Sequence, residues 1–151
     1  MLTIEQHVRL TGVGYEGCDL DEFIRRLHRE DVTLLVDVRL NPISRKRGFS
    51  KTALAGALAG AGIAYEHMRE LGNPKWNRAG FGGGPAELGA ARDVYAGQLV
   101  NADAGECLDR IAEAARRQTV AVMCFEADEH RCHRDLVLEA VRERFSRAVP
   151  A

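Results

Sequence analysis

The sequence predicts an α/β fold, a single three-layer domain with a mainly parallel sheet flanked by helices. Three observations carry this expectation. Apolar, β-branched runs alternate along the chain with stretches of helical period, the pattern of crossover units that build parallel sheets. One run, TVAVMCF at 119–125, is apolar almost without interruption, as a strand covered on both faces is. The 151 residues suffice for one core and not for a second independent one, so residues 1–151 are read as one domain.

The elements follow in order. VRLTGV at 8–13 and VTLLVDV at 32–38 read as strands. Between them DLDEFIRRLHRE places Leu20, Phe23, Ile24 and Leu27 on one helical face, with Asp19 or Asp21 able to cap its first turn. SRKRGFS reads as a loop, and SKTALAGALAGAG as a small-residue helix that starts near Ser50 and stops at Gly60 to Gly62. IAYEH at 63–67 is a short third strand. Five glycines and two prolines in LGNPKWNRAGFGGGP, residues 71–85, predict a long mobile surface loop. Two helices are expected over 86–98 and 103–117, the second with Cys107, Leu108, Ile111 and Ala115 at core spacing. After the TVAVMCF strand, DLVLEAVRERF closes the chain as a helix.

Composition narrows the function. The formal net charge of −1 argues against a protein that holds nucleic acid through a broad basic field, so nucleic acid is a possible but not a favoured partner. Any anion site must be local, which suits a small anionic or phosphorylated ligand. The four cysteines have no regular spacing, and MLTIEQHVRL lacks the organisation of a signal peptide; both fit a reduced, cytoplasmic setting. No apolar run reaches the ~18 residues of a membrane span. The residues assign no cofactor and no oligomeric state.

In open α/β sheets ligands bind at the carboxyl ends of the strands. The residues expected there are Gly14 and Tyr15 after the first strand, Asp37, Arg39, Asn41, Ser44 and Arg45 after the second, Tyr65, Glu66 and His67 at the third, and Cys124 and Glu126 after the last. Each has a bland alternative. Cys124 at an apolar strand end is the usual place of an inert thiol. Cys132, His133 and Arg134 directly precede the final helix, where free N–H groups favour an anion or a thiolate. Asp37 and Arg39 share a strand face and could be a structural ion pair or line a pocket together. Arg45 to Arg47 suit a solvated loop or phosphate recognition. Trp76, with Lys75 and Arg78, is read as an anchor of the glycine-rich loop before a stacking or covering group. Cys124, Cys132, His133 and His67 offer ligands enough for tetrahedral zinc, but seven residues separate the two cysteines, unlike a C-x2–4-C pair.

The blocks TGVGYEG, LLVDVRLNPISRKRGF, IAYEHMRELGN and VMCFEADEHRCHRDLV, in that order, resemble the family of bacterial and archaeal proteins catalogued as domain of unknown function 488, over about residues 11–145. The resemblance implies that Gly14, Tyr15, Asp37, Arg39, Pro42, Ser44, Arg45, Phe49, His67, Cys124, Glu126, Cys132, His133 and Arg134 are motif positions, and it names no reaction. A weaker likeness to rhodanese and phosphatase-type folds suggests sulfur or phosphate transfer through Cys124. Against it, the loop is acidic and long, and position 130, where a Cys-x5-Arg motif needs arginine, is histidine.

The expectation is therefore an enzyme with an anion-binding pocket at the carboxyl edge. Cys124 or Cys132 would be nucleophile, with Glu126 and His133 or His67 moving protons. Arg39, Arg45 and Arg134 would hold the anion, and Tyr15, Asp37 and Ser44 would complete the lining. The alternative is a metal- or ligand-binding module without catalysis.

Overall fold

The computed structural model describes residues 9–148. Val8, placed by the sequence reading at the start of the first strand, lies outside the described residues. Four parallel strands, β1 (Leu10–Gly14), β2 (Val32–Asp37), β3 (Ala64–His67) and β4 (Thr119–Cys124), form one sheet in the order β1-β4-β2-β3. Among the described residues six α-helices accompany the sheet: α1 (Leu20–Arg29), α2 (Lys51–Gly60), α3 (Lys75–Phe81), α4 (Pro85–Gln98), α5 (Ala102–Ala115) and α6 (Arg134–Ala148). The α/β class and the parallel sheet are as the sequence predicts.

Alternation along the strands divides the core into two halves. Leu35, Ala121 and Met123 pack with Phe23 and Leu27 of α1 and Leu54 and Leu58 of α2 on one face. Val36, Val120 and Val122 pack with α4, α5 and α6 on the other. β4 is buried at all six positions, which explains its continuous apolar sequence. Asp19 caps α1 by accepting the Glu22 N–H at 2.8 Å.

Residues 71–85 are not a loop throughout. They carry α3, whose Asn77 and Phe81 are buried, and they end at the first turn of α4. The segment lacks a periodic apolar face because a tertiary contact stabilises it instead. Gly80 brings α3 so close to α4 that a Cβ there would meet the Ala91 methyl at 2.6 Å, and the Asn77 amide donates to the Ala91 carbonyl at 3.0 Å. Trp76 is 72% exposed and anchors nothing.

Strand order positions the site. The chain leaves β1 and β2 for α1 and α2 on one face, but leaves β4, which lies between them, for α6 on the other. Connections that diverge from neighbouring strands open a crevice at the carboxyl edge. Register brings Gly14 opposite Cys124, and Asp37 opposite both Met123 and His67, along that edge.

Candidate functional site

A cavity of about 320 Å³ opens at this edge. Cys124, Glu126, Cys132 and His133 line it, together with Tyr15, Arg39, Ser44 and Arg45 from the first two strand ends. The segment after β4 leaves the strand at Cys124, passes through a 3-10 turn at Glu129–Arg131, and enters α6 at Arg134. It lies directly over β1, because a Cβ at Gly14 would collide with the Glu126 carbonyl. Glu16 fastens it further, with its N–H donating to the Phe125 carbonyl at 2.8 Å and its carboxylate accepting the Ala127 N–H at 2.9 Å.

Arg134 is the inner staple of this segment. Its guanidinium donates to the carbonyls of Glu126 at 2.6 Å and Ala127 at 3.3 Å, and its Nε faces Glu129 at 3.5 Å. At 2% exposure it is consumed by the loop and does not line the cavity. His67 also stands apart: its Nε2–H donates to the Arg39 carbonyl at 2.7 Å.

At the end of β2, Asp37 and Arg39 form a buried bidentate pair, with Nε to Oδ1 at 2.9 Å and Nη2 to Oδ2 at 2.7 Å. Oδ1 also accepts the Arg39 backbone N–H at 3.0 Å, and Oδ2 the Tyr65 hydroxyl at 2.5 Å. Arg39 Nη1 donates to the Tyr15 hydroxyl at 3.1 Å and the Phe49 carbonyl at 2.7 Å. Tyr15 in turn stacks on Phe49 with ring centres 4.4 Å apart. Burial would lower the Arg39 pKa, but Asp37 outweighs it and holds the guanidinium above its ordinary value. Burial, then the hydrogen bond to Asp37, raise the Tyr65 phenol, which therefore remains the donor.

At the end of β4 the arrangement is different. His133 Nε2 lies 2.7 Å from the Val38 carbonyl. A carbonyl can only accept, so Nε2 carries a hydrogen and Nδ1 is the nitrogen turned to the thiols. Nδ1 lies 3.7 Å from Cys124 Sγ and 3.9 Å from Cys132 Sγ. Tyr95 meets the imidazole edge to face, with ring centres 5.0 Å apart, and its hydroxyl donates to the Leu71 carbonyl at 2.5 Å. The ring is thereby fixed from two sides.

The two sulfurs are unequal. The Arg134 backbone N–H donates to Cys132 Sγ at 3.5 Å. Burial alone would raise the Cys132 thiol, but hydrogen bonds from Cys124 and His133 and the charges of His133 and Arg134 bring it well below the ordinary range. Cys124 is held well above that range by its hydrogen bond to Cys132 and by burial. Its S–H also has an acceptor in Glu126 Oε2 at 3.3 Å. Burial, then the negative charge of Cys132, raise the Glu126 carboxyl above its usual value. Among the carboxylates of this segment it is Glu126 that turns toward the cavity; Asp128 accepts the His130 N–H at 3.1 Å, and Glu129 faces Arg134.

The rim includes Asn41, as expected, and also Ile43, Asn73, Arg78, Phe81 and Arg131, which the sequence reading passes over or puts in a loop. Arg131 is tied to the end of α3 through the carbonyls of Phe81 at 3.2 Å and Gly83 at 2.9 Å. Arg45 and Arg78 are exposed and have no hydrogen-bond or ion-pair partner among the described residues. The signal for α3 is the bracketing of seven residues by Pro74 and Gly82, a helix start and stop.

No helix among the described residues is long and apolar enough to cross a membrane. No curated protein and no solved structure matches the chain significantly. The model of the family described as "Domain of unknown function DUF488" matches residues 19–141. With most of its length matched, from the cap of α1 into α6, the chain belongs to the DUF488 family.

Proposed function

We propose that the protein is an enzyme that holds a small anionic or phosphorylated molecule in the carboxyl-edge cavity and carries out its chemistry at Cys124, Cys132, His133 and Glu126. One observation carries the reading. Two sulfurs and an imidazole nitrogen converge within 4.8 Å in a cavity whose rim bears two arginines, Arg45 and Arg78, with no partner among the described residues. Arginines with free donors suit the planar oxygens of a phosphate or carboxylate. Val38 holds His133 with Nδ1 turned to the two sulfurs, and Glu126 is placed to take or return a proton beside Cys124. Arg39 and Arg134, engaged by protein groups, position the walls and leave the anion to Arg45 and Arg78. Four free cysteines suit a reducing cytoplasm.

The second reading, a binding module that performs no reaction, draws on the burial of both sulfurs, 5% exposed at Cys124 and 1% at Cys132.

Alkylation of chelator-treated protein with iodoacetate and with neutral iodoacetamide, read cysteine by cysteine, tests the anion pocket. The anionic reagent should be favoured at Cys132 or Cys124 relative to Cys18 by on the order of tenfold, through local steering, and the preference should vanish in Arg45→Ala/Arg78→Ala. Equal preference at all labelled cysteines, or no labelling of the pair, contradicts the pocket.

A further inference from the structure

The cluster has the dimensions of a metal centre. A tetrahedral zinc ion with Zn–S of about 2.3 Å and Zn–N of about 2.0–2.1 Å sets its S–N edges at about 3.5 Å and its S–S edge at about 3.8 Å. The two S–N separations here are 3.7 and 3.9 Å, and all three donor atoms lie within 4.8 Å of one another. The S–N edges close on an ion by a few tenths of an ångström, and the sulfurs approach by about 1 Å at most.

The surroundings agree. A histidine that ligates through one nitrogen donates its other N–H to a carbonyl or carboxylate, which fixes its tautomer, and His133 does this with Val38. The backbone N–H of Arg134 points at Cys132 Sγ, a hydrogen bond that supports a ligating thiolate. A divalent cation between the sulfurs would take both as thiolates, displacing the Cys124 proton, and neutralise their charge. Two sulfurs and one imidazole are the donor set of zinc. All three ligands line the cavity, so a fourth coordination position faces it, and Glu126 stands beside that position, 3.3 Å from Cys124 Sγ.

We infer that Cys124, Cys132 and His133 are a three-ligand site for a divalent zinc-type ion whose open fourth position faces the cavity beside Glu126. The inference rests on the reading of this cavity as the reaction site and names its cofactor. Three protein ligands with an open position mark a catalytic centre, whereas a closed set of four marks a structural one. A water in the fourth position gives a proton to Glu126 Oε2, and its oxygen bonds to an electrophilic carbon or phosphorus of the bound anion. Glu126 returns the proton to the departing group as that bond breaks, so the net reaction is hydrolysis with water as co-substrate.

Titration of chelator-treated full-length protein with Co2+ and then Zn2+ tests the site. The expected result is one equivalent of cobalt with the intense visible bands and thiolate charge transfer of a tetrahedral site, bleached by one equivalent of zinc. Cys132→Ser and His133→Gln should each weaken binding by more than ~100-fold, beyond the range for outer-shell partners, while Cys18→Ser and Cys107→Ser leave it unchanged. Zinc should also protect Cys124 and Cys132 of the unsubstituted protein from alkylation while Cys18 still reacts, a readout that needs no variant to fold. Pale octahedral cobalt, or alkylation indifferent to zinc, overturns the site. Loss of the metal with the iodoacetate preference intact overturns this inference alone. Tight metal with no iodoacetate preference overturns the anionic substrate and leaves the metal centre.

Discussion

Two polar clusters stand at the ends of adjacent strands, both deeply buried, and they differ in whether their bonding is complete. At the end of β2, all four bonds that Asp37 accepts are given by Arg39 and Tyr65, and Arg39 gives its remaining bonds to Tyr15 and Phe49. At the end of β4, two sulfurs and Nδ1 of His133 face one another across a small gap, and the orienting bonds come from behind, from Val38 and the Arg134 backbone. The first cluster is closed and shapes the wall; the second has donor atoms to spare and faces the cavity. Proximity to the carboxyl edge selects both clusters, and unfinished coordination distinguishes the one proposed as the reaction site.

The contrast is sharpest in stability. Asp37→Asn strands the Arg39 charge in the interior and should cost about 3–5 kcal/mol, measured by denaturant unfolding. A loss below ~1 kcal/mol would show that the pair is not the clamp described. Arg134 shapes the wall as well, although its buried Nε has an ion-pair neighbour in Glu129 and no hydrogen bond among the described residues. Losing its charged hydrogen bonds to Glu126 and Ala127 in Arg134→Ala should cost about 2–3 kcal/mol and speed amide exchange over residues 125–131. Unchanged exchange there would remove it as the staple. Tyr65→Phe deletes one bond of the closed cluster, and the expected loss is about 1–1.5 kcal/mol with metal binding intact. Arg78→Ala, on the rim, should change stability by less than ~0.5 kcal/mol while reducing the iodoacetate preference. The reverse pattern would make Arg78 a packing residue.

Much of this was legible in the sequence. β2 and β4 announce themselves by β-branched runs, α1 by its stripe of Leu20, Phe23, Ile24 and Leu27 and its Asp19 cap, and the topology then directs attention to Cys124, Glu126, Cys132 and His133. α3 escaped because its stability comes from contact with α4 through Gly80 and Asn77, and neither leaves a periodic trace. Arg134 and His67 carry the right chemistry at the right edge, yet their hydrogen bonds to main-chain carbonyls keep them out of the cavity, and sequence cannot reveal which way such a bond points. The spacing of Cys124 and Cys132 weighs against zinc only for a pair held on one turn. Here β4 supplies one sulfur and the approach to α6 the other, so separation along the chain loses its meaning.

Denaturant unfolding of metal-free Cys124→Ser/Cys132→Ser beside Asp37→Asn, each repeated with one equivalent of zinc, tests the central contrast most directly. The serine variant should stay within ~2 kcal/mol of the unsubstituted protein and gain nothing from zinc, while Asp37→Asn loses about 3–5 kcal/mol and is still stabilised by zinc. A serine variant that unfolds as readily as Asp37→Asn would contradict that contrast, because the sulfurs would then be core packing and not an open reaction centre.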